Sequence, residues 1–168
     1  WYRFGLRPGQ LDWAALGMHF FLHADLGHLL GNMLFLALIG FLVEGVIGRW
    51  AFLLSYLLMG LASAGFDVLL SGDRLTPSIG ASGAVSGMMG LYAMLFGLRR
   101  VKFFVLIVAY VGYWFAPAIL LGLVWLGWEL VQYFTAINTN VNYLAHIGGL
   151  LSGALLGAFL RLDNRDID

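Results

Sequence analysis

Apolar residues fall along this chain in long runs separated by short polar breaks. A helix needs roughly 20 such residues to cross about 30 Å of hydrocarbon. The first run that long covers 26–47, opening on His28-Leu29-Leu30-Gly31-Asn32 and ending near Glu44, with Arg49 as the break. A second covers 50–70, and Ser71-Gly72-Asp73-Arg74-Leu75-Thr76-Pro77-Ser78 then reads as a loop, from its small polar residues and its proline. A third span covers 81–98 and stops at Arg99-Arg100-Val101-Lys102. The stretch 103–135 is long for one helix and short for two. Pro117 divides it into a buried or interfacial connection over 103–113 and a fourth span over 117–135. A polar loop, Thr135-Ala136-Ile137-Asn138-Thr139-Asn140, leads to a fifth span over 143–160, which ends in Arg161-Leu162-Asp163-Asn164-Arg165-Asp166. The pattern predicts an all-α polytopic membrane protein with five transmembrane spans in one helical domain over 23–161 and a polar tail over 162–168. Residues 1–22 differ: Trp1, Tyr2, Trp13, Phe20 and Phe21 are mixed with Arg3, Arg7 and Asp12, which suits a loop lying in the membrane interface or half-inserted into it.

Composition supports the membrane reading and removes several others. Of the 168 residues 61% are apolar and 11% charged, against about 25% charged in soluble domains, and the mean hydropathy is +0.89. So short a chain leaves much of its surface exposed and cannot hide such a sequence from water. Nine Lys plus Arg balance nine Asp plus Glu without a basic run, which argues against nucleic-acid binding. No phosphate-cradling loop is present, so nucleotide is not implied. The chain has no cysteine, hence no disulfide framework, thiolate nucleophile or cysteine metal cluster. It begins at Trp1 without a signal-peptide pattern, and we expect it to be the retained part of a longer chain.

Basic residues orient the spans. Arg49, the Arg99/Arg100/Lys102 cluster and Arg161/Arg165 fall on one side of a five-span arrangement, which should be cytoplasmic; only Arg74 and the head of the chain place positive charge opposite. With that orientation His28 and Asn32 lie near the outer end of the first span, Ser82 at the outer end of the third, and His146 about one turn below the outer end of the fifth. Four polar residues from three distant stretches thus share one depth.

His28 and Asn32 are spaced i,i+4 on one helical face. His146 shares a face with Gly149, Gly153 and Gly157, and Gly83, Gly87 and Gly90 offer a matching small face on the third span. Close packing of these two faces would bring Ser82 towards His146. A serine hydroxyl needs an adjacent base to become a nucleophile, and His146 is the histidine on the glycine-faced helix. No carboxylate is evident to orient it: Glu44 and Asp163 lie towards the inner side and Glu129 is on another span. The reading is therefore a Ser82–His146 dyad rather than a triad. Donors for an oxyanion are the backbone N–H of Ser82 and the side chains of His28 and Asn32.

These residues resemble the rhomboid family of intramembrane serine proteases. The resemblance is carried by His23-x-x-x-x-His28-x-x-x-Asn32, Glu44 with Gly48, Gly80-Ala81-Ser82-Gly83, and Ala145-His146-Ile147-Gly148-Gly149 with Gly153, spread over about 130 residues in the family's order. It implies a rhomboid-like helical bundle whose six-span core lacks its first helix in this chain, with residues 1–22 as the interfacial loop. Ser82 would be the nucleophile, His146 the general base, and His28 and Asn32 part of the oxyanion hole, with His23, Gly80, Gly83, Gly149, Gly153 and Glu44 in support. Transmembrane proteins would be the substrates, cleaved near the outer face where their helices unwind, in a bacterial or archaeal cytoplasmic membrane with the site outward. Membrane lipid would be the other partner, and no cofactor or metal is implied. Two departures stand out: Trp13 is followed by Ala14 rather than Arg, and Ser86 stands where an aromatic residue packs on the histidine in some members. Support for His146 must then come from elsewhere, with Tyr143 a candidate.

Plainer readings stand beside these. Ser82 alone would suit a helix N-cap, Asn32 and His28 would serve as interhelical glue, and His23 would hold the head segment in place. His19 reads as an interfacial residue with a role at a cavity rim. Glu44 reads as a tie near Arg49. Glu129, a carboxylate in an apolar helix, has no partner identifiable from the sequence. A catalytically silent relative that binds the transmembrane helices of clients is the alternative function, disfavoured by the presence of both Ser82 and His146. A transporter fragment is disfavoured because the polar residues cluster at one depth.

Overall fold

The computed structural model describes residues 3–72, 75–107, 110–135 and 141–163. Trp1, Tyr2, the loop residues Asp73 and Arg74, the polar connection over 136–140 and the tail over 164–168 lie outside the described residues. Four of the apolar runs become helices with little change of boundary: α2 (Leu26–Ile47), α3 (Arg49–Leu70), α5 (Ala118–Thr135) and α6 (Tyr143–Asp163), after a short α1 (Trp13–Met18) and a 3-10 turn (His19–Phe21). These four are long and apolar enough to cross a membrane, and the chain is an integral membrane protein. Their outward faces carry large apolar side chains, with Phe41 75% and Phe134 79% exposed. Lipid is a tolerable solvent for such a surface and water is not.

The remaining helix, α4 (Ser82–Phe96), is shorter than expected, at 15 residues. At about 1.5 Å per residue it falls short of the roughly 30 Å of hydrocarbon. It forms the centre of the bundle: α2, α3, α5 and α6 all pack on it, and every residue from Gly83 to Ala93 is buried. A helix walled by protein need not reach both membrane surfaces. It stops at Gly97, whose φ of +52° turns the chain, and the Arg161 guanidinium packs against that glycine and donates to the Met94 carbonyl at 3.4 Å. A cation there complements the negative end of the helix dipole.

The most extensive helix contact is between α4 and α6. A Cβ at Gly149 would fall on the Gly83 carbonyl, one at Gly153 on the Gly87 carbonyl, and one at Gly90 on the Leu150 carbonyl. Backbone therefore lies directly on backbone, as small-residue stripes allow. Towards the other end Val43, Met88, Leu91, Tyr92 and Ala118 form the apolar core.

The connection expected over 103–113 is part of a hairpin. β1 (Arg100–Ile107) pairs antiparallel with β2 (Tyr110–Pro117), in a register running from Arg100↔Pro117 to Ile107↔Tyr110. The bundle is helical as expected, and this hairpin is an addition to it. Val, Ile, Tyr, Trp and Phe dominate both strands, and such residues favour extended backbone. The Lys102 ammonium stands 4.0 Å above the Tyr113 ring centre, a cation–π contact.

Candidate active site

The site lies at the end of the bundle where α2, α4 and α6 begin and α3 and α5 finish, and its heights are set by a run of hydrogen bonds. The Ser78 hydroxyl donates to Asp67 Oδ2 near the end of α3 at 2.7 Å, and the Asn142 amide donates to Ser78 Oγ at 2.6 Å. Asn142 also caps α6, its Oδ1 accepting the Ala145 N–H at 3.0 Å. The head segment joins the same loop: Leu6 and Ser78 exchange backbone bonds of 2.9 and 2.8 Å, and the Gly80 N–H donates to the His19 carbonyl at 2.9 Å. Phe20 presses on Gly60 of α3. His19 itself is buried, with Nδ1 3.0 Å from the Ala15 carbonyl. Desolvation holds its imidazole below the ordinary histidine range; His19 packs inside the head segment and also lines the cavity described below.

These ties present Ser82, the first residue of α4, to His146, one turn into α6. Ser82 Oγ is 2.8 Å from His146 Nε2. His146 Nδ1 is 3.1 Å from Glu129 Oε2 on α5. The side chains are only 12% and 4% exposed. With an ionised carboxylate, which only accepts hydrogen bonds, all three groups are satisfied when His146 Nδ1–H donates to Glu129 and Nε2 accepts the Ser82 hydroxyl. The expectation that no carboxylate stands ready to orient His146 is thus corrected. Glu129 is on another span, but that span folds against α6. Tyr143, the sequence candidate for this support, stands edge-on with ring centres 6.4 Å apart.

The opposite wall comes from α2. Asp25 caps this helix, accepting the His28 N–H at 2.8 Å. The Ala24 N–H points to His28 Nδ1 at 3.4 Å, which leaves the ring proton of a neutral His28 on Nε2. That edge lies against Gly80: a Cβ there would stand 2.9 Å from His28 Nε2 and 3.7 Å from Ser82 Oγ. Gly80 has a φ of +112°, so glycine is required both by the backbone and by the ring beside it. Asn32, one turn deeper, is 7% exposed, and its Nδ2 has no protein hydrogen-bond partner among the described residues. Buried donors are seldom left so in folded proteins. His23 lies behind His28 with ring centres 5.0 Å apart. Gly83 abuts Ser63, whose hydroxyl donates to the Ala145 carbonyl at 2.8 Å. Gly149 and Gly153 bring α6 against α4, as described above. Glu44 stands apart, at the far end of α2 and 3.7 Å from Arg49 across an exposed pair.

His28, Asn32, Ser82, Trp125, Glu129 and His146 line one cavity of about 420 Å³. Among the described residues no group of three or more His, Asp or Glu side chains is placed to hold a metal ion. The arrangement provides a hydroxyl with a base on it, a carboxylate behind the base, and donors on the far side: the His28 ring, the Asn32 amide and the N–H groups of the first turn of α4, which lack partners within the helix. Sequence reasoning missed the roles of Glu129 and of the Asp67–Ser78–Asn142 ties. The available signal was position along each helix, since Asp67 and Glu129 lie three and six residues before the ends of α3 and α5, at the end where Ser82 and His146 stand.

The family model for the rhomboid domain matches residues 10–163. Among curated relatives the chain is 29% identical to the putative rhomboid protease YdcA of Bacillus subtilis, over 98% of this chain and 74% of that one. It is 30% identical to the rhomboid protease GlpG of Pectobacterium atrosepticum, over 93% of this chain and 51% of the relative. It is 34% identical to RHOMBOID-like protein 1 of Arabidopsis thaliana, over 81% and 31% respectively. The chain thus spans about half or less of the length of the last two.

Proposed function

The chain belongs to the rhomboid family, and from that premise we propose that it is an intramembrane serine endopeptidase acting on transmembrane segments through an acyl-enzyme. The observation that carries the reading is the 2.8 Å contact of Ser82 Oγ with His146 Nε2 at a cavity in the end of a membrane bundle. His146 Nε2 takes the Ser82 proton as Oγ attacks the scissile carbonyl. The oxyanion meets the Ser82 N–H, the His28 ring N–H and the Asn32 amide, donors oriented before charge develops. His146 then protonates the leaving amine, and water releases the acyl group by the same steps in reverse. A peptide bond held within a stable helix is not presented to a nucleophile, so substrates with residues that destabilise the helix near the cut are preferred. The basic residues at the opposite end of the bundle support an orientation with that end in the cytoplasm and the site outward, in the cytoplasmic membrane of a bacterium or archaeon.

The test is fluorophosphonate labelling with peptide mapping, run beside cleavage of a transmembrane substrate in proteoliposomes. Wild-type protein takes the label on Ser82 and cleaves, whereas Ser82→Ala and His146→Ala lose both while keeping their melting temperature. Label that persists in Ser82→Ala, or cleavage that survives either substitution, overturns the reading.

A further inference from the structure

We propose that Glu129 completes a Ser82–His146–Glu129 triad, as the positioning residue that sets which nitrogen of His146 carries the proton. The inference rests on the serine-protease reading above and deepens it. A carboxylate on a membrane-spanning helix is costly and calls for a partner, and the polar partner found for Glu129 is His146 Nδ1 at 3.1 Å. Glu129 is 3% exposed, so water cannot compete effectively for its oxygens. The two nitrogens of His146 point along one line of contacts, from Glu129 Oε2 on α5 to Ser82 Oγ on α4.

An imidazole that works as a general base must arrive with its reacting nitrogen unprotonated. Left alone, a neutral ring exchanges between two tautomers, only one of which offers a lone pair to Ser82. A carboxylate at Nδ1 selects that one, because it accepts an N–H and has none to give. When Nε2 then takes the serine proton, the positive ring is already facing a negative group, so the same contact stabilises the charge that develops during attack. The proton moves from Oγ to Nε2 and later to the leaving amine; Nδ1 keeps its own proton and Glu129 neither gains nor loses one.

Among the described residues no other side chain holds the ring in this way. Residue 86, one turn along α4 from Ser82, is a serine, too small to brace an imidazole, and the Tyr143 ring is 6.4 Å off and edge-on. The groups facing His146 are Glu129 from α5, Ser82 from α4, His28 across the cavity on α2 and Tyr143 on its own helix. Asp25 and Asp67 also line the cavity, and among the described residues Glu129 is the carboxylate bonded to the His146 ring.

The experiment compares the full chain with Glu129→Gln, Glu129→Leu and Glu129→Asp, measuring kcat and KM in proteoliposomes, the rate of fluorophosphonate labelling at Ser82, and melting temperature. In parallel, 15N NMR of the wild-type His146 ring identifies the protonated nitrogen. Expected are a fall of about 10²–10⁴-fold in kcat and in labelling rate for Gln and Leu with KM nearly unchanged, partial recovery in Asp, and a proton on Nδ1 in the wild type. A merely structural tie would lower melting temperature without this split and without recovery in Asp. Wild-type rates in Glu129→Gln, beside an inert Ser82→Ala, overturn the triad and leave the protease reading standing. A wild-type ring protonated on Nε2 overturns it even if the Gln and Leu variants fail to fold. A folded wild type that neither labels nor cleaves overturns the protease reading, and this inference with it.

Discussion

At the scale of single residues, Asn32 is the sharpest case because its structural and chemical readings differ in sign. As interhelical glue its amide would be paired, and truncation would cost stability. Its Nδ2 is instead buried on the cavity wall and makes no hydrogen bond to a protein group among the described residues, so truncation there breaks no tie between helices. Under the proposed mechanism the missing partner is an oxyanion that exists only during reaction. Asn32→Ala is therefore expected to lower kcat by about 10²–10³-fold while melting temperature holds or rises. Thermal unfolding and steady-state cleavage on one preparation decide it, and a lower melting temperature with unchanged kcat would return Asn32 to a packing role. The i,i+4 pairing of His28 with Asn32 was legible from spacing alone. The protonated edge of His28 was not, because it depends on the Ala24 N–H reaching Nδ1, a matter of how the chain enters α2.

At the scale of elements, the reacting distance is governed by the α4–α6 contact. The glycine faces at Gly83, Gly87 and Gly90 and at Gly149, Gly153 and Gly157 are readable as matching stripes, since the helical period determines which residues share a face. Gly153 is the strictest point, because a Cβ there meets the Gly87 backbone rather than a side chain able to move. Gly153→Val should destabilise the protein by at least about 1–3 kcal/mol, the usual cost of overpacking, and should slow Ser82 labelling as α6 is pushed away from α4. Gly65→Ala, on a helix position with nothing within 4 Å, is the matched control expected to change neither. The hairpin over 100–117 was less legible. A short apolar run has no periodicity that separates strand from buried helix, and what settles the matter here is pairing between residues up to 17 apart. The head segment is similar: its aromatic and basic mixture is what suggests an interfacial loop, yet its bonds to Ser78 and Gly80 are visible only once the chain is folded.

At the scale of the whole molecule, charge asymmetry and the position of the site make one joint prediction. The chain has no cysteine, so single cysteines can be read without background. Leu75, 69% exposed at the site end, and Lys102, exposed on the hairpin at the opposite end, should face opposite aqueous compartments. Leu75→Cys is expected to react with an impermeant maleimide on intact cells and Lys102→Cys only after the membrane is opened; the reverse pattern would invert the proposed orientation. What the sequence by itself determined is the class of molecule: apolar runs of membrane length, a shared depth for His28, Asn32, Ser82 and His146, and the stripes that let two helices touch. Those are properties of hydropathy and helical period, which act locally along a chain. Only the tertiary structure decided that α4 is a short helix walled by protein, and that Asp67, Ser78 and Asn142 form one chain of bonds. It alone placed Glu129 behind His146. Contacts of that kind depend on which helix lies beside which and at what rotation, and side-chain packing sets both only when the bundle closes.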